Sequence, residues 1–332
     1  MLITQTPLRV SLAGGPTDLP QYAEKHGGEV VGFGIDKYLY VWVKERFDRQ
    51  IIVNWTRKEV VASISQIQHE LVREAARLAG LDDGFEVITT ADIPSEGSGL
   101  GSSSALTVGL LNAFFLHRGI QISTLELARM ATRIEIDILG KPIGRQDQHL
   151  CALGGIQRLR FGAGGEVTAC DLKIAPETLR LLNQNLLLFY TGATRKASDV
   201  LASHAEDFDS RVELYDRMKA LVPRTCAALQ AGRVDELGRI LDEGWQIKKR
   251  LGRGVSLPAI DAMYDEARRG GALGGKVCGA GGGGFLLLYC PVEAQSALRA
   301  KLSGYAEMPF QIEKDGAKTV FSVRRPMWKT LR

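Results

Sequence analysis

The sequence predicts an α+β fold shared between two domains, and three observations carry that expectation. Segments of strand character and helix character are interspersed without a strict βαβ rhythm. At 332 residues the chain is long enough for two domains, each with its own core. A composition shift after Leu172 opens a long, charged, helix-forming region, and the expected domains are 1–175 and 176–332.

Taken in order, 8–13, 38–44 and 51–55 have the β-branched, aromatic and alternating pattern of strands. Residues 66–79 read as a helix ended by Gly80, and 85–90 as a strand that leads into a glycine-rich loop. An apolar segment, 106–116, follows that loop. Ser123 with Glu126 forms a capping-box pattern that opens a helix through Leu139, stopped by Gly140 and Pro142. After the segment 158–161 and a glycine turn at 162–165 comes a short strand ending near Leu172. Helix is expected over 206–250, and Ser256 caps a further helix through Arg269. A glycine run, a strand over 285–290, a helix over 292–302 and a strand pair around 310–314 and 319–324 complete the chain.

Composition excludes several classes. A hydrophobic fraction of 45% with 24% charged residues is that of a globular protein. A formal net charge of +4, without a run of five or six like charges, gives no reason to expect nucleic acid as a partner. The longest strongly apolar run, 285–290, is far short of a membrane span, and the N-terminus lacks a signal-peptide pattern, so a cytoplasmic location is expected. Cys151, Cys170, Cys226, Cys278 and Cys290 are scattered, with no C-x-x-C pair to suggest a disulfide framework or zinc site.

Four segments carry chemistry. In the loop at 94–104, Gly97, Gly99 and Gly101 allow tight turns and close approach to a ligand. The helix that follows offers unpaired N–H groups and a positive dipole end to an anion. No Gly-Lys-Ser/Thr closes this loop, so it is not a Walker motif. Ser102, Ser103 and Ser104 supply hydroxyls to cap the helix, bond phosphate or ligate Mg²⁺, and capping needs only one of them. In the second segment, Glu135 shares a helical face with Ala131, Ile134, Ile138 and Leu139, where a carboxylate needs a cation or metal. Asp137 pairs more simply with Arg133 on a solvated face. Asp147, expected in the loop beyond Pro142 and Gly144, is open to two readings, a turn residue or a general base.

In the third segment, Arg9 lies within a strand, and Gly14-Gly15 with Thr17 and Asp18 forms either a hydroxyl-gripping loop or a simple strand-ending turn. The fourth, 274–284, contains a literal G-x-G-x-x-G. It runs into a strand rather than a helix, which excludes the dinucleotide reading and leaves close backbone approach to a loop or a phosphate.

Together these motifs, in this order over residues 7–284, resemble the GHMP kinase superfamily. The resemblance implies a ribosomal protein S5 domain 2-like N-terminal domain and a ferredoxin-like C-terminal domain, with ATP and substrate between them. It implies Mg²⁺ held by Ser103 and Glu135, and ATP bound by Gly97, Gly99, Leu100, Gly101, Ser102, Ser103 and Ser104. Asp147, twelve residues after Glu135 in a G-x-x-D-Q loop, matches the catalytic aspartate, and Arg9, in a P-x-R motif, the arginine supporting it. Thr17, Asp18, Gly144, Gly281 and Gly282 fall at substrate-binding positions.

Two departures matter. Gly15-Pro16 stands where galactokinases have Glu-His, which argues against galactose, and the spacing from Pro94 to Gly99 is one residue longer than in several members. The Gly-Gly-x-Thr-Asp-Leu-Pro opening is similar to the heptose-phosphate kinase branch, which implies phosphorylation at O1 of D-glycero-D-manno-heptose 7-phosphate. A kinase for fucose or another hexose, or a non-catalytic sugar sensor, is the alternative. Arg195, in 191–198, either holds a substrate phosphate or starts a solvated helix. Expected partners are ATP and a sugar or sugar phosphate, with no nucleic acid and no membrane, and with a homodimer left open.

Overall fold

The computed structural model describes residues 1–94, 97–193, 200 and 208–323. The chain begins with β1 (Leu2–Ala13), which alternates between buried and half-buried positions at its start and is buried on both faces from Thr6 onward. A one-turn 3₁₀ segment, Gly15–Asp18, and helix α1 (Pro20–His26) reverse the chain. Strand β2 (Gly28–Glu45) then runs antiparallel to β1 over most of its 18 residues. Strands β3 (Ile51–Asn54) and β4 (Lys58–Val61), helix α2 (Glu70–Ala79) and β5 (Phe85–Ala91) follow.

Helix α3 (Ser102–His117) is apolar all round, as a helix enclosed by its neighbours must be. It packs on β1, β2, α2 and the next two helices, α4 (Thr124–Thr132) and α5 (Gln146–Leu153). Strands β6 (Ile156–Phe161) and β7 (Val167–Asp171) complete the first half. The first sheet has the order β13 (Lys318–Ser322)-β1-β2-β5-β3-β4, with β6 on β2 and β7 on β6. All its pairings are antiparallel except β3 with β5.

The second half contributes α6 (Pro176–Asn185), β8 (Leu186–Tyr190), α7 (Val212–Gln230), α8 (Val234–Lys248) and α9 (Pro258–Arg269). Then come β9 (Gly274–Val277), β10 (Phe285–Tyr289), α10 (Gln295–Lys301), β11 (Glu307–Met308), β12 (Ile312–Glu313) and β13 (Lys318–Ser322). Its four-stranded antiparallel sheet has the order β11-β8-β10-β9. The last strands return to the first sheet, β12 on β2 and β13 on β1, so the stretch 176–332 is not confined to its own sheet.

The expected α+β class holds, with several local differences. The helix expected through Leu139 is α-helical only to Thr132. Residues 133–138 then form a π turn in which Leu139 N–H donates to Ile134 O, five residues back. That wider turn leaves Ile138 45% exposed rather than facing inward. The region 206–250 divides into α7 and α8 at Gly232, whose φ of +70° suits glycine. Ser256 does not cap α9; Leu257 holds that position and Ser256 Oγ donates to Asp261 instead. Asp147, expected in a loop, lies in the first turn of helix α5.

Candidate active site

A cavity of about 460 Å³ lies between the two sheets, walled by β1, the 97–104 segment, residues 141–147 and the glycine run after β9. Strand β1 is doubly buried here, so Arg9 and Ser11, two residues apart and on one face, both reach its wall.

Arg9 is 4% exposed and forms a two-pronged ion pair with Asp147, Nε to Oδ1 at 2.7 Å and Nη2 to Oδ2 at 2.5 Å. Its remaining prong, Nη1, donates to Gly99 O at 2.6 Å, and its backbone N–H to Leu100 O at 3.0 Å. Burial works against the guanidinium charge, but the Asp147 carboxylate outweighs it and holds the group more firmly protonated than usual.

The 97–104 segment turns through left-handed glycines, with φ of +72° at Gly97, +74° at Gly99 and +81° at Gly101. Those turns let it nest into the second glycine run, where a Cβ on Gly99 would meet Cys278 O at 2.5 Å and one on Gly279 would meet Gly99 Cα at 2.8 Å. Leu100, expected to bind ATP, does not line the cavity: its side chain is fully buried in the core, its N–H donates to Ser98 Oγ at 3.3 Å and its carbonyl accepts from Arg9 N–H. Gly101 stands at the N-cap of α3 with no side-chain cap, which leaves the N–H groups of the first turn in need of outside partners. Ser102 Oγ shares a hydrogen bond with Ser98 Oγ at 3.1 Å.

The hydroxyls of Ser103 and Ser104 both donate to Glu135, the latter at 2.8 Å to Oε2. Gln148 Nε2 adds a third bond at 2.8 Å, and Lys141 Nζ lies 3.8 Å from Oε1. The inward carboxylate expected at 135 is therefore fully buried and accepts three hydrogen bonds, while Asp137 and Arg133 are both exposed. Ser103, itself exposed at the cavity, sets a hydroxyl beside Glu135 Oε1. Two hard oxygen donors fit Mg²⁺, which takes one or two protein oxygens and fills its octahedron with phosphate and water. Among the described residues no cluster of three or more His, Cys, Asp or Glu could hold a metal by itself.

Asp18 is 1% exposed and accepts from Gln146 N–H at 2.9 Å. Burial, opposed by that bond and reinforced by the charge of Asp147, pushes its carboxyl up to about 7. Gly144 lies against it with no room for a side chain. Thr17, expected beside the substrate, is turned into the fold: its Oγ1 donates to Glu29 O at 2.8 Å and accepts from Glu29 N–H, tying the 3₁₀ turn to β2. Gly281 lines the cavity, whereas Gly282 spends its N–H on Val255 O at 2.8 Å and lies outside the lining. Arg195 lies outside the described residues.

Lys248 and Lys276, for which the sequence predicts no role, both line the cavity at 3% and 5% exposure. Lys276 belongs to the glycine-rich segment, but Lys248 ends a helix with no motif around it, and only the tertiary fold brings it here.

Residues 64–155 match the model for the GHMP kinases N-terminal domain, and residues 226–305 the model for the GHMP kinases C-terminal domain. D-glycero-alpha-D-manno-heptose 7-phosphate kinase of Campylobacter jejuni is 30% identical over 95% of this chain and 98% of its own. The chain belongs to the GHMP kinases. This GHMP kinase is also 28% identical, over 90% of its length, to L-fucokinase/L-fucose-1-P guanylyltransferase of Bacteroides fragilis, covering 35% of that longer protein. The crystal structure of a D-glycero-D-manno-heptose 1-phosphate kinase from Bacteroides thetaiotaomicron superposes with a TM-score of 0.82 at 28% identity, over 98% of this chain and all of that one. Family membership makes the chain an ATP-dependent kinase.

Proposed function

We propose that this GHMP kinase transfers the γ-phosphoryl group of ATP to a sugar hydroxyl, with O1 of D-glycero-D-manno-heptose 7-phosphate as the acceptor position. The observation that carries the reading is the Arg9–Asp147 pair facing the same cavity as the glycine loop and Ser103.

In this reading the N–H groups opening α3 and the left-handed glycine turns bind phosphate oxygens. Ser103 and Glu135 would hold Mg²⁺, which would neutralise phosphate charge. Asp147 accepts the proton of the acceptor hydroxyl at a carboxylate oxygen. Arg9 fixes the orientation of that carboxylate and lends positive charge to the moving phosphoryl group. Asp18, held by Gln146, grips sugar hydroxyls on the far wall.

The heptose-phosphate acceptor is supported by the Campylobacter relative, which matches over nearly its whole length, and by the Bacteroides structure. The similarity to an L-fucokinase supports a second acceptor, an unphosphorylated deoxyhexose. An ATP-consumption assay over heptose 7-phosphate, free heptose, fucose and common hexoses separates them, with phosphorus NMR locating the new ester. Preferential turnover of the heptose 7-phosphate, with an anomeric product, is expected. Faster turnover of fucose would replace this acceptor with the second, and no turnover of any sugar would overturn the catalytic reading.

A further inference from the structure

The two lysines that face the cavity are electrostatically unbalanced. Lys248, at the last position of α8, donates from Nζ to Gly279 O at 2.5 Å and to Val277 O at 3.2 Å. Lys276, on β9, donates from Nζ to Ser11 O at 2.7 Å and so fastens the second sheet to β1. Among the described residues neither meets a carboxylate within ion-pair distance. An ammonium group has three donors, so one N–H of Lys248 and two of Lys276 remain unspent. Buried cations without an opposite charge are costly.

Ser11 supplies an independent observation. It is nine-tenths buried and lines the cavity, and its Oγ has no hydrogen-bond partner. The backbone carbonyl of the same residue holds the Lys276 ammonium. A buried hydroxyl in this position needs a ligand as much as the lysines do.

We infer that Lys248, Lys276 and the Ser11 hydroxyl form a phosphate-monoester subsite distinct from the N-terminus of α3. A phosphate group offers oxygens to several N–H and O–H donors at once, and its charge offsets the two ammonium groups. Burial pushes Lys276 down to about 8, and burial together with the neighbouring Lys276 charge lowers Lys248, as expected where the counter-ion belongs to a ligand. The inference rests on the kinase reading in one respect: a kinase with an already phosphorylated acceptor needs a second anion site beside that for the nucleotide. The phosphate could come from that acceptor or from the end of the ATP chain, and both present the same chemistry.

The test uses the full-length protein and the variants Lys276→Gln, Lys248→Gln and Ser11→Ala, each first checked for a native melting transition. Ser11→Ala removes only the orphan hydroxyl and keeps the test available if a lysine variant does not fold. Inorganic phosphate, titrated calorimetrically without nucleotide or sugar, should bind the parent protein, and each variant should weaken it about tenfold or more. This arm is independent of turnover, so it survives even if the proposed acceptor is wrong. Steady-state kinetics then assign the source. A KM for heptose 7-phosphate raised about tenfold, with KM for free heptose and affinity for ADP unchanged, assigns the subsite to the acceptor's phosphate. Loss of affinity for a non-hydrolysable ATP analogue, but not for ADP, assigns it to the terminal phosphate. Unchanged phosphate binding and unchanged kinetics in every folded variant would overturn the inference.

Discussion

The Asp18 carboxylate fills the space that a side chain on residue 144 would take: a Cβ on Gly144 would lie 1.9 Å from Asp18 Oδ2 and 2.4 Å from Oδ1. Gly144 has no positive φ, so its glycine identity answers to space rather than to backbone conformation. Gly144→Ala should therefore leave the fold intact and push Asp18 off its hydrogen bond with Gln146. KM for the sugar is expected to rise about tenfold to a hundredfold, the worth of a hydrogen bond to a charged group, with nucleotide affinity unchanged. Initial-rate measurements against each substrate check this; an equal rise in both KM values would count against it.

The same carboxyl makes stability depend on pH. Its folded-state value, pushed up to about 7, lies above that of an unfolded aspartate, so the folded protein binds the proton more tightly. Its contribution is favourable at low pH and is lost as pH rises from about 4 through about 7. The loss is on the order of 2–4 kcal/mol. Asp18→Asn keeps an oxygen for the Gln146 N–H and carries no charge. It should melt higher than the parent protein at pH 8, approach it at pH 4 and lose affinity for the sugar. Melting curves across that range decide the matter.

Glu135 accepts three hydrogen bonds, from Ser103, Ser104 and Gln148, so its replacement by glutamine tests charge apart from shape. Gln148 Oε1 is buried without a partner, and an amide flip at 148 would present that oxygen to the new amide nitrogen. Glu135→Gln is therefore expected to fold normally, within about 1 kcal/mol of the parent protein. The Mg²⁺ concentration for half-maximal activity should rise tenfold or more as a hard anionic ligand is lost. Activity titrated against Mg²⁺ at saturating ATP reports it.

What the sequence revealed depended on how local the determinants were. The 97–104 loop and Glu135 were legible because glycine spacing and helical periodicity are local properties. The serine surplus was legible too, but its use was not: Ser104 turns to Glu135 across 31 residues of chain, and no local rule reports that. Thr17 was read towards substrate because a loop threonine is normally free, whereas its actual partner, Glu29, comes from pairing beyond the next helix. Strand β8, the apolar run Leu186–Tyr190 between β10 and β11, was missed because a short buried run shows no alternation. Lys248 was silent because a lysine at a helix C-terminus ordinarily faces water.

Asp147 bears on both turnover and stability, and one substitution separates the two. Asp147→Asn removes the proton acceptor while keeping the side-chain volume, so kcat should fall about 10²- to 10⁴-fold. It also leaves the buried Arg9 side chain without its carboxylate. Breaking a buried pair costs about 3–5 kcal/mol, and the 27% exposure of Asp147 reduces that to about 2–4 kcal/mol. Nucleotide affinity should hold, because the phosphate-facing N–H groups, Ser103 and Glu135 are untouched. Calorimetric ADP binding, a melting curve and single-turnover rates on one preparation report the three effects separately. Normal turnover with lowered stability would leave Asp147 a structural partner of Arg9 and require another base.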